Sequence, residues 1–167
     1  MNLFEQTGVI LIAFDEKFTL SDPRGQEIAR SSVHAQFLEL YYNQESGHMA
    51  DIENAVLNRN GSMETHVVIG DKTFVLFAYS KLKNRDDCKS DTEQLYSFEL
   101  VENSLQNAFK YCKQFFPNEI IKTIPLGTGV QNDRSKVTVN SLGDSESWIQ
   151  STANEMGVKV QIIKRGH

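Results

Sequence analysis

Gly8-Val9-Ile10-Leu11-Ile12-Ala13-Phe14 is apolar from end to end and gives way to the polar turn Asp15-Glu16-Lys17. A continuous run of this length is what a strand covered on both faces requires. Sheets buried on both faces are those whose strands are joined through helices, so the neighbouring segments decide the fold. Downstream, Ser21-Asp22-Pro23-Arg24-Gly25 is loop by its breaker content. Ser31-Ser32 then offers an N-cap for a helix through Val33, Phe37, Leu38 and Tyr41.

Met49 to Leu57 reads as a second short helix, closed by the turn Asn58-Arg59-Asn60-Gly61. Val67-Val68-Ile69 and Thr73 to Ala78 flank Gly70-Asp71-Lys72 and form a hairpin. Lys81 to Asp91 is a polar connection, and Asp91 with Gln94 approximates a capping box. Leu95, Phe98, Val101, Leu105, Ala108, Phe109, Cys112 and Phe116 then trace the stripe of a long amphipathic helix, stopped by Pro117. A strand from Ile121, a helix from Ser145 to Met156 closed by Gly157, and a strand from Val158 to Ile163 complete the chain. Buried strands alternating with amphipathic helices predict an α/β sandwich whose mixed sheet is largely parallel. Residues 1–165 read as one domain, and Gly166-His167 as a tag remnant.

The composition excludes several functions. The chain has 167 residues, a net charge of −5 and no Lys/Arg stripe interleaved with aromatics, which argues against a nucleic-acid binder. Cys88 and Cys112 are too few and too far apart for a disulfide framework, and reduced thiols suit the cytosol. Neither a signal peptide nor a run of about 20 apolar residues is seen. The four histidines show no metal-ligand spacing, so no metal is expected. No Gly-x-Ser-x-Gly elbow or P-loop ending occurs, and no third glycine completes a dinucleotide fingerprint.

What remains is a binding pattern. Ile121-Lys122-Thr123-Ile124-Pro125-Leu126-Gly127-Thr128-Gly129-Val130 carries a strand straight into a Gly-x-Gly turn. Such a turn lets the backbone approach a ligand closely and gathers N–H groups into an anion-binding nest. The loop from Asp15 to Gln36 ends at a helix start, which also presents N–H groups to an anion. Two facing loops of this kind would hold a pyrophosphate beyond the carboxyl ends of the strands. Each piece has an ordinary reading as well. Asp15 is commonly a solvated turn carboxylate, and His34 an exposed or capping histidine. Ser31 and Ser32 serve as caps, Phe18 and Tyr79 as core or rim, Lys81 and Lys83 as solvated loop, and Cys112 as core.

Taken together, Ile12 to Phe18, Ser31 to Phe37, Thr73 to Lys81 and Ile124 to Gly129 resemble, in order and spacing, the ThsA-type macro-like domain of the Thoeris anti-phage effectors, over about residues 8–165. The resemblance implies a three-layer α/β/α macrodomain that binds ADP-ribose or a derivative, without a further cofactor. It places Asp15, Glu16, Phe18, Ser32, Val33, His34, Gln36, Tyr79, Lys81, Leu126, Gly127, Thr128, Gly129 and Val130 against that ligand. It also implies a TIR-domain enzyme that makes the messenger, histidine-linked ADP-ribose in the branch with macro effectors. Self-assembly on binding follows, in a cytoplasmic domain attached in that branch to transmembrane helices absent from this chain. The first loop lacks the glycine run of hydrolytic macrodomains, which favours binding over turnover. The alternative is an ADP-ribosyl hydrolase in which Asp15 or His34 helps to activate water.

Overall fold

The computed structural model describes residues 3–15, 17–21, 32–80, 98–125 and 142–163. Strand β1 (Gly8–Asp15) runs through the middle of a five-stranded sheet. Its side chains alternate between two cores. Ile10, Ile12 and Phe14 enter one with Phe37, Ile52 and Phe74, while Val9 and Leu11 enter the other with Leu105, Phe109 and Ile149. Burial on both faces explains why no polar residue interrupts the strand.

The other elements are α1 (Val33–Tyr41), α2 (Met49–Leu57), β2 (Glu64–Ile69), β3 (Lys72–Ser80), α3 (Phe98–Phe115), β4 (Ile120–Thr123), α4 (Leu142–Met156) and β5 (Lys159–Ile162). The strand order is β2-β3-β1-β4-β5. β1 pairs parallel with β3 and β4, β4 pairs parallel with β5, and β2 pairs antiparallel with β3. Helices α1 and α2 cover one face and α3 and α4 the other. The result is the expected three-layer sandwich with a mixed, mostly parallel sheet.

Local chemistry sets the element ends. Ser32 caps α1, its Oγ accepting the Ala35 N–H at 3.1 Å. In α3, Leu105, Ala108, Phe109 and Cys112 are fully buried, one face of a 3.6-residue period. α4 ends in a Schellman turn: Gly157 has φ 70, its N–H reaches Asn154 O at 3.2 Å, and the Val158 N–H reaches Ala153 O at 2.9 Å.

Several boundaries differ from the sequence reading by a few residues, and those at β2, its hairpin and α4 have the most to explain. β2 begins at Glu64 rather than Val67: Thr65, Val67 and Ile69 are buried on the α1/α2 face, while Glu64 and His66 alternate to the α3 face, where His66 meets Tyr111 and Phe116. The hairpin loop is two residues rather than three: Ile69 pairs with Lys72 around Gly70 at φ 62. A glycine with positive φ at the first loop position suits the right-handed twist of the strands. α4 starts at Leu142 rather than Ser145. The connection from Lys81 to Asp91, Cys88, the Asp91–Gln94 capping box and Gly166-His167 lie outside the described residues.

Candidate functional site

Because β1, β3 and β4 are parallel, their carboxyl ends share one edge. Antiparallel β2 brings its entry turn to the same edge, since the Ala78 N–H bonds Met63 O at 2.8 Å while Ala78 is level with Phe14. Four chain segments therefore converge there: the exit of β1, the exit of β3, the turn into β2, and Pro125 beyond β4. The Gly-x-Gly string starts at the next residue after that proline. Leu126, Gly127, Thr128, Gly129 and Val130 themselves, with Glu16 and Lys81, lie outside the described residues.

The exit of β1 is tied down by its own side chains. Asp15 is buried, which corrects its reading as a solvated turn carboxylate. Its Oδ1 accepts the Thr19 N–H at 2.8 Å and its Oδ2 accepts the Thr19 hydroxyl. The Phe18 N–H bonds Asp15 O at 3.2 Å, closing a turn in which Phe18 takes φ 52. A non-glycine residue in that region costs on the order of 1–3 kcal/mol, so the Asp15–Thr19 contacts have strain to offset.

His34, in the first turn of α1, is buried rather than exposed. Its ring stacks on Phe14 with centroids 3.7 Å apart and 20° between planes. Its Nε2 stands 2.8 Å from Thr19 O. A carbonyl oxygen only accepts, so Nε2 carries the proton and donates. Thr19 is thus held from three directions, and the first turn of α1 is fixed against the exit of β1. Sequence reading missed Thr19, although its hydroxyl four residues after Asp15 was the available signal.

The remaining predicted residues fall into two groups. Ser32, Val33 and Gln36 are half-buried around the start of α1, beside the Asp15–Thr19 turn. Phe18 is buried against Phe14 (5.9 Å between centroids), and the Arg59 guanidinium carbon lies 4.3 Å from the centre of its ring. Tyr79 is separated from these. It is buried on the opposite face of the sheet, edge-on to Phe77 in the core under α3 and α4.

Elsewhere, an open groove of about 710 Å³ runs along α4 and β5, lined by Glu146, Ser147, Gln150, Ser151, Asn154 and Ile162. It follows an exposed polar helix face and contains none of the converging residues. Among the described residues, no group of three or more His, Cys, Asp or Glu is placed to hold a metal, and no helix is long and apolar enough to cross a membrane.

No curated protein matches this chain. A crystal structure of a protein from Bacteroides thetaiotaomicron superposes with a TM-score of 0.53 at 8% identity, covering 94% of this chain and 88% of that one. At that identity the likeness concerns the fold alone. The family model described as "Thoeris protein ThsA, Macro domain" matches residues 1–143, so most of α4 and all of β5 fall outside it. A match over that share of the chain makes the protein a member of the ThsA Macro domain family of the Thoeris system.

Proposed function

We propose that this domain is a sensor of an ADP-ribose-type nucleotide in Thoeris anti-phage defence, binding it across the carboxyl edge of the sheet without turning it over. The observation that supports this reading most directly is the convergence just described. The β1 exit, the first turn of α1 and the chain leaving β4 toward Gly127-Thr128-Gly129 meet at the edge where open α/β sheets bind ligands. Family membership supplies the setting. In this reading the messenger is ADP-ribose or histidine-linked ADP-ribose made by a TIR-domain enzyme, and its binding promotes self-assembly.

Binding is preferred over hydrolysis for a structural reason. Both carboxylate oxygens of Asp15 accept from Thr19, and Nε2 of His34 is spent on Thr19 O. These contacts commit both side chains to holding the β1 exit, which supports a positioning role for them over activation of water. Titration calorimetry with ADP-ribose and its histidine conjugate tests the reading. Four or five charge-assisted hydrogen bonds plus one stacked base, less ordering costs, correspond to affinity of about micromolar or better. Heat of binding, recovery of intact ligand and a rise in molar mass by light scattering are the expected results. A folded sample that gives no heat with either compound refutes it.

A further inference from the structure

Arg59 belongs to the Asn58-Arg59-Asn60-Gly61 turn, which by sequence is merely a connection between α2 and β2. The structure brings its side chain to the converging edge and lays the guanidinium over Phe18, three residues beyond Asp15. Nη1 donates to Ser62 O at 3.0 Å, and the Ser62 N–H bonds Arg59 O at 2.9 Å, so the turn and the side chain hold each other. Nε, by contrast, is buried with no acceptor. Among the described residues no carboxylate pairs with this arginine. Stapling a turn accounts for Nη1 and leaves the other edge of the fork unexplained. A guanidinium seated over an aromatic ring still needs acceptors for its remaining donors, and two oxygens of a phosphate at the Nε/Nη2 edge would satisfy the orphaned Nε.

We propose that Arg59 is the cationic contact of the candidate site and that it binds a phosphate oxygen of the ligand, with Phe18 as the platform that orients it. The assignment rests on the nucleotide-binding reading above and names a residue which that reading did not contain. It also gives the left-handed backbone at Phe18 a purpose, since that conformation turns the ring under the guanidinium.

The test is titration of ADP-ribose, histidine-linked ADP-ribose and adenosine into the wild-type chain, Arg59→Gln and Arg59→Lys, with thermal melts confirming that each is folded. Loss of one charge-assisted fork weakens ADP-ribose binding about 10- to 100-fold in Arg59→Gln, with partial recovery in Arg59→Lys, which keeps the charge and loses the fork. Adenosine, which carries no phosphate, binds all three equally. Raising salt from about 0.05 to 0.5 M weakens wild-type binding more than that of Arg59→Gln. A purely structural role would lower the melting temperature without moving the ratio of ADP-ribose to adenosine affinity. If the wild type binds ADP-ribose and both variants match it, the assignment is wrong and the nucleotide-binding reading stands. Loss confined to the histidine conjugate places Arg59 on the conjugate's carboxylate and overturns the phosphate contact. Absence of binding by the folded wild type overturns both.

Discussion

Removing the Asp15 carboxylate isolates the device that holds the β1 exit in place. In Asp15→Ala two hydrogen bonds to Thr19 are lost, and the Thr19 N–H is left in a partly buried position with no acceptor. Bonds to an ionised group contribute about 1.5–3 kcal/mol each, and recovering the desolvation cost of the buried carboxylate offsets part of the sum. A net loss of about 2–4 kcal/mol is expected. For a chain of this length each kcal/mol moves the melting temperature by about 2–4 °C, so the midpoint falls by about 5–15 °C. Asp15→Asn keeps the acceptor for the Thr19 N–H and offers an amide to its hydroxyl, so it loses less than half as much. Urea melts of both variants give the stabilities, and calorimetry with ADP-ribose gives the functional consequence. In Asp15→Ala the turn relaxes, and with it the His34 contact that seats α1. Binding should weaken even when the sample is held well below its melting temperature. Wild-type stability in the alanine variant, or equal losses in the alanine and asparagine variants, would refute the reasoning.

Three further outcomes are expected. On the proposed reading the Gly127-Thr128-Gly129 backbone comes close to the ligand phosphates, so Gly129→Val should stay folded yet lose the thermal shift produced by ADP-ribose; a retained shift counts against the nest. Burial pushes the Cys112 thiol up to about 12, with Glu64 adding to the effect. In a Cys88→Ser background, iodoacetamide should therefore leave Cys112 unmodified at neutral pH until denaturant is added, as mass spectrometry would show. His66 bonds the Tyr111 hydroxyl at 2.6 Å through Nδ1, and desolvation lowers its pKa below 6.5 while burial pushes Tyr111 up to about 12. The unfolded chain then binds a proton more readily than the folded one, so His66 costs stability as pH falls below about 6.5. The drop in melting temperature between about pH 6.5 and 5 should be smaller in His66→Gln than in the wild type.

The sequence discloses the fold because its signals are local and strong. β1 is unbroken by polar residues, and the helical stripe points Leu105, Ala108, Phe109 and Cys112 into one core. The exact agreement of α2 with Met49–Leu57 has the same origin, an apolar stripe followed by a turn rich in Asn and Gly. The start of β2 is illegible because Glu64-Thr65-His66 is polar, and a short polar start looks like loop until its partner strand and the α3 side chains that meet it are known. Of the candidate site, the sequence marks a location and not its contacts. Composition marks Asp15 and His34 as residues that could do chemistry; the Asp15–Thr19 spacing of four is a local hint, but nothing local brings His34 onto Thr19 as well. Arg59 is illegible for the opposite reason. It lies some forty residues from Phe18 in the chain, and only the antiparallel return of β2 brings its turn beside the β1 exit.

The proposed anion site on a chain of net charge −5 is less paradoxical than the total implies. At physiological ionic strength the Debye length is about 8 Å, so carboxylates scattered over the surface are largely screened from a ligand at the sheet edge. In water an unscreened unit charge about 15 Å away contributes only about 0.3 kcal/mol. Donors in contact distance act in a partly desolvated cleft, where each charge-assisted bond contributes several times that amount. Local geometry therefore outweighs the global sum, provided the donors are already in place when the ligand arrives. On the proposed reading, tying Thr19 from three directions and seating Arg59 over Phe18 serve this end. An anchored edge has less disorder to lose on binding, so more of the gross interaction energy is kept as affinity. Loosening the β1 exit in Asp15→Ala should accordingly shift the entropy of ADP-ribose binding unfavourably, whereas Arg59→Gln should mainly reduce its enthalpy. Calorimetry that found the reverse assignment would contradict the preorganised-edge argument even if both variants bound more weakly.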